Sequence, residues 1–363
     1  MKKSLIALAV LAASGAAMAQ SSVTLYGIAD VWVGNVSVDD GTTDTSRTLM
    51  HSGGVSTSRW GMKGSEDLGG GLKANFQLES SINMDDGTTG SGFNRQAWVG
   101  FSGNFGDVRF GRVSSPFDNV QAASTALWDS DLSPVNNPGG GVFRTASGFI
   151  AKPTNTIYYK TPSFSGFGGE VSYSLDEDNE DGVFQPTEIA ITSLSLTYAA
   201  GPFAAQFAYQ EEERADVPTD DDFTFMRLGA SYNFGMATAK ATYGRAENAV
   251  GNVNGTGYDA VDTNGDPIHV SGHLADAQTD EWQIGVDVPM SSALTLSAAY
   301  AESTDDAIGA IPEVKRSGFG LAAAYSLSKR TTLYGGVKTA TEEQTGVHDI
   351  DTTVYAVGVK HTF

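Results

Sequence analysis

Apolar residues recur at every second position through much of this chain. In Leu72–Glu79 one face is Leu72, Ala74, Phe76 and Leu78, and the other is Lys73, Asn75, Gln77 and Glu79. Ser193–Tyr198 separates Leu194, Leu196 and Tyr198 from Ser193, Ser195 and Thr197. Phe203–Gln210 sets Phe203, Ala205, Phe207 and Tyr209 against Ala204, Gln206, Ala208 and Gln210. Glu281–Val288 sets Trp282, Ile284, Val286 and Val288 against Glu281, Gln283, Gly285 and Asp287. Leu294–Ala301 repeats the pattern with Leu294, Leu296, Ala298 and Tyr300. A strand turns successive side chains to opposite faces, so each window reads as an amphipathic strand. The i, i+3, i+4 spacing of a helix fits them poorly.

The connections alternate as well. Leu68–Gly71, Asn104–Asp107, Ala199–Pro202, Gly235-Met236 and Leu327–Arg330 are short and carry turn residues. Val38–Gly53, Asp85–Gly92, Phe117–Asn155, Asp176–Glu188, Glu211–Asp222, Asn248–Thr279, Ser303–Val314 and Thr341–Asp351 are long and polar. Tight and elaborate connections in turn describe an up-and-down sheet with one plain rim and one elaborate rim. About sixteen strands of roughly ten residues result. Alternation by itself also fits a soluble β-sandwich. The placement of charge favours a membrane wall. Asp176, Glu177, Asp178, Glu180 and Asp181 share one long loop, and Glu211, Glu212, Glu213, Asp216, Asp220, Asp221 and Asp222 share the next. The apolar strand faces are nearly free of charge, as lipid demands, since a Lys or Arg there costs about 2–4 kcal/mol at mid-membrane. The expected fold is therefore all-β, a transmembrane antiparallel β-barrel.

The start of the chain is an address. Lys2 and Lys3 precede the apolar run Leu5–Ala13, and Ala17-Met18-Ala19 is a small-x-small cleavage site. Residues 1–19 read as a signal peptide, and 20–363 as a single barrel domain. Nothing after Ala19 approaches the ~18–20 apolar residues of a transmembrane helix, a test that barrel strands escape. Composition excludes other classes. Lys+Arg number 22 and Asp+Glu 43, so the formal charge is 22 − 43 = −21, or 20 − 43 = −23 without Lys2 and Lys3. A nucleic-acid partner is excluded, because such binding neutralises phosphates with basic residues. The absence of Cys removes disulfides, thiolate metal sites and Cys nucleophiles. No cofactor and no metal site is called for: Asp262-Thr-Asn264-Gly-Asp266 resembles half a calcium loop, but Pro267 stands where that loop needs Gly and no Glu closes it.

The last strand, Thr352–Phe363, alternates Tyr355, Val357, Val359, His361 and Phe363 against Ala356, Gly358, Lys360 and Thr362, and ends on Phe363. This ending resembles that of bacterial outer-membrane barrels. Five further segments carry a resemblance to the Gram-negative general porins of β-proteobacteria, near the anion-selective and neisserial-type branch. They are Ser22–Gly27, Ser58–Gly61, Gly64–Ala74, Ser102–Arg112 and Tyr325–Tyr334. The resemblance implies an outer-membrane channel for passive diffusion of ions and small hydrophilic solutes, in a Gram-negative bacterium. It implies a homotrimer embedded in outer-membrane lipid and lipopolysaccharide, and no covalent reaction.

In that family the third long loop folds into the lumen, facing basic residues on the wall. Here the loop is Phe117–Asn155, with Asp118, Asp129 and Asp131 as its carboxylates and Trp128, Pro134 and Pro138–Gly141 suiting a compact path. Arg59 matches one wall position by motif, and parity agrees, since Trp60 and Met62 take the lipid face. Arg95 matches a second, but it shares parity with Ala97, Val99 and Phe101. A bulge near Gln96 returns it to the lumen; otherwise it lies above the membrane. Lys152 matches a third, where the family has Arg; it keeps the charge without the planar fork. Arg109 lies on a polar face and joins the set. These wall charges touch a passing ion, whereas rim acids act through screening of about 8–10 Å, so a mild anion preference is expected.

Two other functions compete. A barrel enzyme needs a nucleophile or acid beside a His at the rim. His51, His269, His273, His348 and His361 sit in no G-x-S-x-G or H-E-x-x-H setting. A β adhesin without a pore would use the acidic loops as its binding surface.

Overall fold

The computed structural model describes residues 22–120, 127, 130–136, 148–175, 189–214, 222–251, 260–261, 267–268, 271–308, 312–346 and 348–363. The expected leader, Asp129, the Asp262–Asp266 segment and most of the two acid-rich loops lie outside the described residues. In chain order the strands are β1 (Ser22–Asp39), β2 (Asp44–Ser52), β3 (Arg59–Gly69), β4 (Leu72–Ser81), β5 (Gln96–Gly103), β6 (Gly106–Arg112), β7 (Thr156–Lys160), β8 (Phe167–Ser174), β9 (Ile189–Ala200) and β10 (Phe203–Arg214). They continue with β11 (Phe223–Asn233), β12 (Thr238–Gly251), the short pair β13 (Ala260–Val261) and β14 (Pro267–Ile268), β15 (Ser271–Pro289), β16 (Leu294–Asp305), β17 (Val314–Ser326), β18 (Thr331–Gln344) and β19 (Ile350–Thr362).

All but β13 and β14 form one sheet of 17 strands. Pairing is antiparallel throughout and runs around the sheet in chain order, with β12 beside β15, and β1 pairs with β19 over Ile28–Asp39 to close the ring. Gly27 and Phe363 extend the seam by exchanging two backbone hydrogen bonds of 3.1 Å. β2 runs beside Val31–Asp39 and β3 beside Ser22–Ile28 of the same β1 edge. The two are halves of one stave, so 17 strands make a barrel of sixteen staves. This corrects one boundary: Val38–Gly53, expected as a loop, contains the end of β1 and all of β2. Strands β10, β12, β15 and β18 likewise run into segments expected as loops. Their apolar alternation stops where the lipid ends, while the hydrogen-bonded ladder does not need lipid to continue.

The wall is inverted relative to a soluble protein. Leu25, Val357 and Leu196 point outward and are 62%, 66% and 59% exposed, whereas Asp30, Glu212 and Arg227 point inward and are 0% exposed. The strand faces expected from the alternation are those observed, because a one-residue slip would turn every apolar side chain into the lumen. Charge does reach the outer face near the long-loop rim. There Arg245 pairs with Asp280 at 2.9 Å, both about one-third exposed, and Tyr243 also donates to Asp280.

The segment between β6 and β7 folds into the barrel. Ser115 caps a single helical turn, Pro116–Asn119, by accepting from the Asp118 N–H. Pro116 starts that turn with its φ already set. Phe117 then donates its N–H to Ser193 Oγ at 3.1 Å, and its ring packs against Phe149 at 4.8 Å and Phe225 at 6.2 Å. Farther along, Leu132 is buried among Trp32, Ala322, Tyr334, Val354 and Ala356. Trp32 Nε1 donates to Asp131 at 2.6 Å, Asp131 N to Gly54 O at 2.8 Å, and Lys338 Nζ to Asn136 O at 2.6 Å. At Gly320 a Cβ would stand 2.3 Å from Leu132 O, so glycine admits the loop's backbone against β17. The loop is thus held on β9–β11 and again on β17–β19 and β1, several staves away around the ring.

Truncating Leu132→Ala removes the loop's central apolar contact, at a cost of about 2–5 kcal/mol. The loop should loosen while the barrel stays closed. Current noise through single channels should rise, with the temperature of heat-modifiable gel migration unchanged.

Candidate functional site

The loop leaves part of the wall open. Beyond its base, its described residues are bonded or packed to β8–β11 on one side, and to β17–β19, β1 and the 53–58 link on the other. Strands β3 to β6 stand between, and most of the basic residues picked out from the sequence lie there.

Arg59 pairs across from Ile28 and Gly61 from Tyr26, so Arg59 takes the lumenal face and Trp60 the outer one. Arg95 reaches the lumen through an irregular entry to β5. Its N–H donates to the Glu79 carbonyl at 3.1 Å, while the ladder pairs the next residue, Gln96, with the same Glu79. Two consecutive residues thus face one, which offsets the parity that would have sent Arg95 outward. Its Nε donates to Glu79 Oε1 at 2.8 Å, with both side chains nearly buried. Tyr26 OH donates to the other Glu79 oxygen at 2.9 Å.

Lys152 sits at the base of the loop, where Ser115 N–H donates to Ala151 O. Its Nζ is 3.3 Å from Asp118 Oδ2, which joins the two ends of the inward fold. Asp131 does not face this basic wall. It is bonded to Trp32 and lies 3.5 Å from His51 Nδ1, on the β1–β2 side. Expected as a carboxylate opposite the arginines, it is instead part of the loop's anchor, because the loop tip is drawn there by the apolar seat of Leu132. Asp129 lies outside the described residues.

Arg109 is lumenal but belongs to another level. It pairs across from Gly100, four residues below Gln96 along β5, or about 13 Å at the strand rise. It does not join Arg59 and Arg95. Its guanidinium lies 4.5 Å from the Trp98 ring and 5.0 Å from that of Tyr158, and binds Asp107 through Nε at 2.9 Å and Nη2 at 3.3 Å.

Several lumenal charges escaped the sequence reading. Arg227 lies 4.0 Å from Glu281 and 5.3 Å from the Phe117 ring, both acid and base 0% exposed. Arg316 binds Asp305 at 2.8 Å and Glu342 at 2.6 Å. Lys338 lies beneath the loop. Parity along β11, β17 and β18 assigns all three inward, so the signal was present. Their burial depends on where the loop and neighbouring staves lie. At the long-loop rim the exposed Asp40 accepts from the Thr43 and Thr42 N–H groups, which hold its carboxyl below the usual carboxylate range. Asp86 is held low in the same way by Thr88.

A family model described as Gram-negative porin matches residues 5–362. Outer membrane porin protein 32 of Delftia acidovorans is 37% identical over 341 residues, covering 93% of this chain and 89% of its own. Major outer membrane protein P.IB of Neisseria meningitidis serogroup A is 33% identical over 252 residues, 64% of this chain and 67% of its own. Among solved structures, the anion-selective porin from Comamonas acidovorans superposes with a TM-score of 0.71 at 28% identity, covering 95% of this chain and all of that one.

Replacing Glu79→Gln leaves Arg95 without its carboxylate in a nearly closed setting, a loss worth about 3 kcal/mol for such pairs. The temperature of heat-modifiable migration should fall, and Arg95→Gln in the same chain should recover part of it.

Proposed function

Because the chain belongs to the Gram-negative porin family, we propose that Arg59 and Arg95 on the wall, with Lys152 and Asp118 at the loop's base, set a mild preference for anions. The protein is an outer-membrane porin, a water-filled β-barrel through which ions and small hydrophilic solutes diffuse passively. Sixteen staves are enough to leave an aqueous lumen, where eight would be filled by side chains. No step of this function makes or breaks a covalent bond. An adhesin without a pore does not need a polar lumen crossed by an anchored loop.

The observation that carries the anion preference is the charge count on the open wall. The lumenal faces of β3–β6, with Arg95 at the entry to β5, present Arg59, Lys63, Lys73, Arg95 and Arg109 against Asp67, Glu79 and Asp107. Among the described residues this wall therefore sums to +2. The described rim acids, such as Asp40 beyond the end of β1, stand far along the staves from Arg59, and their field decays over about 8–10 Å in physiological salt. The similar Comamonas porin is described as anion-selective. Lys152 holds its charge as a point, so it attracts an anion without the bidentate grip of an Arg.

A homotrimer is proposed on the family resemblance, and one of the solved relatives, the Vibrio cholerae OmpT, is described in a trimer form. Outer-membrane lipid and lipopolysaccharide would surround it.

A unit charge at ~4 Å from a passing ion in a water-like medium is worth about 1 kcal/mol. Arg59→Gln, the loss of one such charge, should therefore lower the chloride-to-potassium permeability ratio roughly fivefold or more, read from reversal potentials in a salt gradient. A wild-type preference for potassium would overturn the proposal. For the trimer, the expected result in planar bilayers is three equal conductance steps per insertion event; single steps would point to a monomer.

A further inference from the structure

We propose that the lumen holds a second station below the constriction, a binding site for small hydroxylated carboxylates such as sugar acids. A cavity of about 330 Å³ opens on the lumenal wall toward the tight-turn rim, the periplasmic side in such barrels. Its lining includes Lys63 of β3, Asn75 and Gln77 of β4, Trp98 and Ser102 of β5 and Arg109 of β6. Four adjacent staves thus supply one continuous polar floor. The volume equals that of about eleven waters at ~30 Å³ each, enough for a solute of a dozen bonded non-hydrogen atoms.

The chemistry of the lining decides the ligand class. Lys63 Nζ lies over the Tyr26 ring at 5.1 Å and has no carboxylate partner among the described residues. Arg109 spends Nε and Nη2 on Asp107, which leaves Nη1, and Trp98 and Tyr158 fix its plane. The local charge of Lys63, Arg109 and Asp107 is +1, suited to one carboxylate. The amides are oriented by their own bonds. Asn75 Nδ2 donates to Ser102 Oγ at 2.9 Å, and Gln77 Nε2 to Tyr26 OH at 2.7 Å. Among the described residues the two amide oxygens accept from no donor and the Ser102 hydroxyl donates to no acceptor.

Chloride and a bare carboxylate cannot use those acceptors. A second cation could, but Lys63 and Arg109 repel it. Hydroxyl groups carried on an anion satisfy both halves of the site, the ammonium taking the carboxylate and the amide oxygens taking the hydroxyl protons. The station rests on the anion preference proposed above for delivery of its ligand; its Lys63 and Arg109 add to the same wall's charge, but Arg59 and Arg95 of the constriction take no part in it.

The test is made with the full-length protein in planar bilayers carrying chloride current. Potassium gluconate, potassium acetate and glucose are added in turn on the tight-turn side. Gluconate should depress the current along a saturating curve, while acetate and glucose should not saturate. Lys63→Met should raise the half-saturating gluconate concentration about tenfold, the loss of one charge-assisted contact, and Lys63→Arg should keep it. Asn75→Leu should bring the gluconate curve toward that of acetate, and it carries the test if the Met variant fails to insert. Superimposed gluconate and acetate curves in the wild type would overturn the station. So would equal shifts of both in Lys63→Met, which would reduce Lys63 to part of a general field. Reversal potentials taken in the same membranes separate the two proposals. Potassium preference would sink the constriction reading alone, and a saturating, Lys63-dependent gluconate curve would still establish the station.

Discussion

The seam between β1 and β19 is the interaction on which the rest of the barrel depends. Lipid offers no partner to a backbone N–H or C=O, so a sheet that crosses a membrane must leave no open edge. Here the first strand meets the last over twelve register pairs, from Ile28 opposite Thr362 to Asp39 opposite Asp351. Every other pairing is between staves that follow one another in the chain and forms locally through a tight turn or a long loop. Only the seam joins the two ends of the chain. Its closure fixes the number of staves and with it the width of the lumen.

Closure also inverts the usual arrangement of a protein core. Apolar side chains face outward and polar ones inward, so the interior holds charged groups in close quarters. Those under the loop are paired or bonded, as in the Arg316–Asp305–Glu342 cluster and in Lys338 bonded to the Asn136 carbonyl. The apolar residues that do face inward are few and local. Phe117, Phe149, Phe223 and Phe225 form one patch, Trp32, Leu132 and Tyr334 another, and Trp98, Val113 and Tyr158 a third. The first two are where the inward loop is seated. The same loop therefore buries two of these patches and leaves the β3–β6 wall open to water.

The open wall shows how local backbone geometry acts on charge. Without the irregularity before β5, Arg95 would project toward lipid. With it, Arg95 reaches Glu79 and part of its charge is offset at once. Arg109 is offset in the same way by Asp107. A count of basic residues in the sequence overstates the positive potential that a solute meets, because pairing across strands cancels part of it.

Much of this was legible from residue order alone. The alternation in Leu72–Glu79 or Leu294–Ala301 states which side chains face lipid, because strand geometry has a fixed period of two and lipid tolerates only one kind of face. Tight and long connections gave the topology, and parity placed Arg59 in the lumen. The sequence could not place Arg95, whose direction depends on a bulge; it could not separate the level of Arg109 from that of Arg59, since strand pairing sets height. Nor could it tell that Asp131 would bind Trp32 and not face the arginines. Those outcomes follow from contacts between residues far apart in the chain, such as Leu132 with Ala356 and Asp131 with Gly54. Period and polarity are local properties, so the sequence determined the wall and its two faces. Register, bulges and the seat of the loop are settled only when distant segments compete for the same space, so the tertiary structure decided which charges line the passage.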